Sequence, residues 1–510
     1  MMYAGNRTTN LLSLGLLAAL ASPALAQNLS LDKVGGVLGS TVSFPIKGNP
    51  NEPYFLLIDI VEQQTTLPSL GVTLDITDQF AWLTFAAPGW VGVCNGTGNA
   101  APQIVIPNDP FFASLPFSLQ AIGGAGPWRV SNLVRLTAQT GATWVPALNN
   151  PTVPVLGGTT AVAPNNELLF IGGSGPVAQR YKSRTEDWEL SGASFGIGLL
   201  GQTTGLADGR VLFTGGLDLT TGQPSAAAAV YDPTTQVTTT LAMAAARAGH
   251  GASLMPNGKV LITGGSNAFD IANPLSLFTG LLGSTEIFDP VTNTFGPGPN
   301  MLEARAFHTS TTLTTGRVLI AGGMAVLPIV NLPNVSSTAY LFNPTTNSFG
   351  LPAFMNGARF LHTATALSNG RVLLVGGITL DLTTFLTTLD PLDIIVGTRT
   401  DCQVFASGGF FGTFSTVNGM QVGRAGAAVA PLPNGGAVIA GGFQMQIDFA
   451  TSTFLLNATA TTDRFTQGPN LLTPVGSMAA PRLFPTTVSL PDGSIMVVGG
   501  GPTGAEIYHQ

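Results

Sequence analysis

Apolar residues fall in short bursts along most of this chain, and seven of the bursts share one frame. Each has a polar turn, a brief apolar run and then two glycines. The segments are NNELLFIGG (165–173), DGRVLFTGG (208–216), NGKVLITGG (257–265), TGRVLIAGG (315–323), NGRVLLVGG (369–377), NGGAVIAGG (434–442) and DGSIMVVGG (492–500). In all seven the second turn residue precedes the doublet by six positions. A run such as Val-Leu-Ile, with no polar alternation, predicts a strand buried on both faces. Asn-Gly and Asp-Gly predict two-residue type I′ hairpin turns. The glycine pair predicts a backbone conformation or close approach that a side chain would block.

Further strands recur around this frame. Before the turn come HGASLM, HTSTTL and HTATAL, starting at His250, His308 and His362. After the doublet come VYDPTT, IFDPVT and LFNPTT, each a strand closed by an Asp/Asn-Pro turn. Some seven residues beyond Tyr181, Phe288 and Phe342 stand Trp188, Phe295 and Phe349, which mark a fourth strand. Four antiparallel strands repeating every 43 to 65 residues predict propeller blades rather than a solenoid.

The Arg-x-x-His start, hairpin turn, Gly-Gly doublet, Tyr/Phe-Asp-Pro turn and later aromatic resemble the kelch repeat family over about residues 140–510. The resemblance implies an all-β chain with a seven-bladed kelch-type β-propeller, and it leaves function open, since kelch propellers range from binding modules to oxidases. The seventh unit ends after three strands at AEIYHQ, and TWVP around Trp144 reads as its missing fourth. That strand closes the ring and removes an open edge.

Residues 27–139 lack the repeat. VSFPIKG, YFLLIDIV, FAWLTFA, PQIVIPND, FSLQAIGG and VSNLVRLTA, separated by Gly, Pro and Asn, predict a small β-sandwich domain. Ile106-Pro107-Asn108-Asp109-Pro110 with the later Phe117–Ala121 and Ser131-Asn132 resembles a β domain of other exported bacterial proteins. A spacer, an interaction module and a lid on the propeller are its open roles. Residues 1–26 read as a signal peptide: Arg7, the apolar run Leu11 to Ala21, and Ala24-Leu25-Ala26 as cleavage site. No later apolar run is long enough to span a bilayer, so a secreted protein, periplasmic or extracellular, is expected.

Composition narrows the classes. Only 9% of the 510 residues are charged, which excludes a charged disordered chain and a coiled coil. A net charge of −7 gives no reason to approach nucleic acid. Cys94 and Cys402 do not make a disulfide framework.

Two features bear on function. Connections between second and third strands lie on the same face as the blade starts, and three are long: Gly265 to Phe288, Gly323 to Phe342 and Gly377 to Phe405. They are apolar, with Leu275, Leu277, Phe278, Leu281 and Leu282 in one and Leu380, Leu382, Phe385, Leu389, Ile394 and Ile395 in another. Such loops wall a binding groove or pack on each other or on the N-terminal segment. Arg247, Arg305, Arg359, Arg424 and Arg482 recur at blade starts, with Val155 and Gly198 at the aligned positions. They are the candidate ligand-binding residues, able to hold an anion if they converge near the axis, and they are also part of the kelch pattern. The three repeat histidines are expected to pack. No catalytic residue, metal site or cofactor is assigned. Tyr508-His509 is similar only superficially to the Tyr-His pair of galactose-oxidase-type copper radical oxidases, because Tyr508 aligns with third-strand aromatics and Cys402 has no tyrosine partner. Three readings stand: an exported binding protein for a protein or carbohydrate ligand, a carbohydrate-active enzyme of oxidase or mutarotase type, and a structural envelope or matrix protein.

Overall fold

The computed structural model describes residues 29–509, apart from 153–158, 163–167, 172–176, 195–198, 269–275, 327–332, 382–387, 389–394, 449–452, 409–410 and positions 82, 114, 148, 219, 418, 491 and 503. The expected signal segment, the first repeat's turn and doublet, Val155 and Gly198 lie outside the described residues. So do Leu275, Leu382, Phe385, Leu389 and Ile394.

The chain is an all-β propeller. Among the described residues, seven sheets each carry a meander of four antiparallel strands. Their first strands are Thr159–Val162, Gln202–Gly205, Gly251–Leu254, Thr309–Thr312, Thr363–Ala366, Ala428–Pro431 and Thr486–Ser489. Each first strand touches the next in order, and Thr486–Ser489 returns to Thr159–Val162, so the sheets surround a common axis. The second strands (Val211–Thr214, Val260–Thr263, Val318–Ala321, Val372–Val375, Ala437–Ala440 and Ile495–Val498) are buried at every residue. The continuous apolar run is therefore a strand sandwiched between neighbouring sheets. Tyr181–Trp188, Phe288–Phe295, Phe342–Phe349 and Phe405–Phe414 pair third and fourth strands, with ring centroids 5.0–5.2 Å apart.

In the seventh sheet the fourth strand is Thr143–Pro146, which pairs with Ala505–His509 so that Trp144 faces Tyr508 and Val145 faces Ile507. The ring is thus sealed by residues more than 300 positions apart in sequence.

The turns differ from expectation. At DG and NG only the glycine is left-handed (Gly209 φ 86°, Gly258 φ 79°, Gly370 φ 79°), whereas type I′ needs two such residues. The Gly258 N–H donates to Met255 O, and Met255 N–H donates to Lys259 O, a turn followed by a glycine bulge. Asn257 Oδ1 accepts from the Lys259 N–H, so its side chain braces the turn without a left-handed backbone.

Residues 29–139 form a five-stranded sheet around Pro53–Asp59 and Pro116–Gly123, with short strands packed over a core of Leu31, Val42, Phe44, Leu56, Trp90 and Leu119. This segment meets the propeller at the turn between the third and fourth strands of the first sheet. Arg135 N–H donates to Arg184 O at 2.8 Å, Lys33 pairs with Glu186 at 2.6 Å, and Arg184 with Asp32. In a meander that turn lies on the face opposite the blade starts and long connections. Of the open roles, a lid over the long connections does not fit this docking.

Candidate functional site

The five repeat arginines are fully buried, and their guanidinium groups face the protein's own groups. In each, Nη1 donates to the carbonyl of the first doublet glycine of the same sheet, at 2.7–3.1 Å: Arg247 to Gly264, Arg305 to Gly322, Arg359 to Gly376, Arg424 to Gly441 and Arg482 to Gly499. A carboxylate takes Nη2: Glu286, Glu303, Asp401, Asp463 and Glu506 respectively. The arginine's own carbonyl accepts the N–H of the second doublet glycine of the preceding sheet, as in Gly265 to Arg305 at 2.9 Å. This clamp explains the doublet. Both glycines are left-handed, and a Cβ on Gly264 would stand 2.4 Å from Arg305 O. All five guanidinium groups are buried against the protein's own carbonyls and carboxylates, and among the described residues the Nε of Arg247, Arg305 and Arg359 is left without a hydrogen-bond partner. The acids that complete the clamp were legible in part, since Glu286, Asp463 and Glu506 each stand two residues before the third-strand aromatic.

His250, His308 and His362 are buried beside the axis, with Nε2 at 2.9 Å from the hydroxyls of Thr214, Thr263 and Thr309. Burial, then the neighbouring arginine, holds the His250 imidazole down to about 3, and His308 and His362 well below the usual histidine range. They are neutral packing groups. No cluster of three His, Cys, Asp or Glu placed to hold a metal ion occurs among the described residues.

The residue before each of these histidines belongs to a ring that the sequence did not reveal. Leu200, Gly249, Phe307, Leu361, Gly426 and Phe484 all have left-handed backbones, with φ from 48° to 67°. Adjacent sheets are linked through them: Gly249 N–H donates to Leu200 O, Phe307 to Gly249, Leu361 to Phe307 and Gly426 to Leu361, at 2.7–3.1 Å. Two glycines stand among four large residues. A Cβ on Gly249 would meet the Phe307 ring at 2.8 Å, and one on Gly426 the Phe484 ring at 2.7 Å. Leu200, Phe307, Leu361 and Phe484 are half-buried and line a cavity of about 330 Å³ at the axis, with His308, Ser310 and Thr363.

Hairpins rise on the same side. Met324–Val326 pairs with Pro333–Val335, Ile378–Asp381 with Ile395–Thr398, and Phe443–Asp448 with Thr453–Ala458. The last belongs to a fourth long connection, Gly442 to Phe465, that sequence inspection passed over. The hairpins pack side by side over one core of Met324, Val335, Phe360, Ile378 and Phe443, against which Phe307, Leu361 and Phe484 also pack. Among the described residues they therefore pack on each other. Ile395, Leu455 and Leu456 remain exposed on them.

The other flagged residues sit elsewhere. Tyr508 is buried in its strand with its ring 5.2 Å from Trp144, and both cysteines are buried free thiols, pushed up by burial to about 11 for Cys94 and about 12 for Cys402. No described helix is long and apolar enough to cross a membrane.

No family model and no curated protein matches the chain. Among solved structures it is similar to a novel fungal alcohol oxidase of the AA5 family, in complex with copper, at 16% identity and a TM-score of 0.37, covering 62% of this chain and 74% of that one. A likeness of that extent carries no argument about activity, and the architecture stands on this chain's own strand pairing.

Proposed function

We propose that the chain is an exported kelch-type binding protein whose working surface is the axial pocket and the hairpins beside it, taking a protein or carbohydrate ligand. In this reading residues 1–26 are a signal peptide, 27–139 an accessory β domain and 140–510 the propeller. The arginines are its frame. One observation carries the proposal: bulky Leu200, Phe307, Leu361 and Phe484 hold left-handed backbones around the pocket, whereas Gly249 and Gly426 occupy the same ring without strain. A left-handed backbone costs a side-chain-bearing residue about 1–2 kcal/mol, and strain kept at a pocket rim is a mark of function. The apolar rim suits an apolar side chain of a protein loop or the C–H face of a sugar.

A glycan array and a displayed-peptide library, each screened with the parent and with a Phe307→Gly/Leu361→Gly chain, test it. A ligand of the parent is expected to lose at least about tenfold in affinity, the equivalent of roughly 1.4 kcal/mol. Equal binding by both chains contradicts the site. Sugar turnover without retained ligand favours the enzyme reading instead.

A further inference from the structure

A second cavity, of about 180 Å³, lies on the opposite face where three parts of the chain meet. Residues 32–36 and 136–139 of the N-terminal segment form one side, and residues 181–186 of the first sheet another. Leu490, Asp492, Ile507 and His509 of the seventh sheet, next to the closing strand, complete it. From these observations we infer a binding site for one neutral, polyhydroxylated ring of monosaccharide size.

Two sets stand out among its polar groups, which also include Gln139, Ser183 and Asp492. Lys33 with Glu186 and Arg184 with Asp32 are ion pairs that cancel one another and fasten the walls. The other set lacks protein partners. Tyr181 is 1% exposed, and its hydroxyl makes no hydrogen bond among the described residues. Thr137 Oγ1 is buried and unpartnered among the described residues, and the His509 ring, 9% exposed, makes no hydrogen bond to them. Unpaired polar groups in an enclosed space cost stability unless water or a ligand meets them. Each of these three groups both donates and accepts while neutral, as sugar hydroxyls do. His509 is held below the usual histidine range chiefly by burial, and burial raises the Tyr181 phenol, so both are neutral near pH 7.

The apolar part of the wall is Leu136, Val145, Pro146, Leu490 and Ile507. An apolar wall beside separated neutral donors and acceptors matches a pyranose, which has a C–H face and a hydroxyl rim. Asp492 is the one lining carboxylate outside the two ion pairs, so an anion is disfavoured. The volume is below the roughly 300–1,000 Å³ of drug-sized pockets, which limits the occupant to one small ring.

Saturation-transfer NMR on the full chain, with D-glucose, D-galactose, D-mannose, N-acetyl-D-glucosamine and glycerol as probes, tests the inference. At least one of the sugars should give transfer. Tyr181→Phe keeps the ring that packs on Trp188 and removes only the hydroxyl; it and His509→Gln should each weaken that sugar about 3- to 10-fold, the worth of one hydrogen bond. Phe307→Gly/Leu361→Gly should leave it unchanged, so this site stands or falls apart from the axial one. Melting curves establish that each variant is folded, and Tyr181→Phe carries the test alone if His509→Gln is not. No transfer from any probe overturns the inference, as does a sugar bound equally by parent and Tyr181→Phe.

Discussion

An Arg424→Ala chain is expected to lose about 3–5 kcal/mol of folding stability, because removing one partner of a buried pair strands the other charge. Arg424 and Asp463 side chains are both 0% exposed, and Arg424 also holds the carbonyls of Gly441 and Thr461. The Thr461 hydroxyl and Asp463 Oδ2 share its Nη2. Denaturant titration of the parent, of Arg424→Ala and of Arg424→Met/Asp463→Leu separates a frame from a ligand site. The double variant removes both charges and is expected to recover part of the loss, although the glycine carbonyl it leaves behind stays without its donor. A cost below about 1 kcal/mol for Arg424→Ala would mean that the clamp is not part of the frame.

Acid is the second strong lever. The three axial histidines are neutral in the folded chain and titrate near 6.5 once unfolded. Below that value the unfolded chain takes up protons that the folded chain refuses, so their contribution is complete above about pH 6.5 and falls as the pH drops. Each histidine yields a slope of at most about 1.4 kcal/mol per pH unit. Because the unfolded histidine is only half protonated at pH 6.5, the loss between pH 6.5 and 5 is between about 1 and 2 kcal/mol per histidine and about 5 kcal/mol for three. Buried Asp401, held low by its arginine partners, destabilises the chain on protonation at a still lower pH, outside this window. His509, also held below the usual range chiefly by burial, adds to the same slope, so His308→Gln is expected to remove between about a quarter and a third of it, and a stability that is flat from pH 6.5 to 5 contradicts the assignment.

Much of the architecture was legible because it repeats. The doublets, the buried second strands and the aromatic pairs each recur, and recurrence exposes a pattern that a single copy hides. Trp144 was legible for a related reason: the last unit lacks a strand whose aromatic signature stands alone before the first. The turn type was not legible, since Asn-Gly suits both a two-residue turn and a glycine bulge, and strand geometry decides between them. The arginines were legible only as markers of the blade starts. Their spacing marks the blade starts, but spacing does not say whether a side chain points to the axis or back into its own sheet. The left-handed ring was hidden because Leu, Phe and Gly are mixed within it, and nothing about a leucine announces a positive φ. The hydroxyls of Tyr181 and Thr137, which make no hydrogen bond among the described residues, gave no signal at all, because their setting arises where distant segments meet.

The stability of Phe307→Gly/Leu361→Gly, compared with the parent by denaturant titration, tests the central claim without any ligand. If these residues are kept for the pocket, relief of about 1–2 kcal/mol of backbone strain at each position should nearly offset the lost burial of a half-exposed side chain, itself about 1–2 kcal/mol. The account predicts a net change within about 2 kcal/mol. A loss of about 5 kcal/mol or more, as for deleting two core side chains, would show that they serve packing and would contradict it.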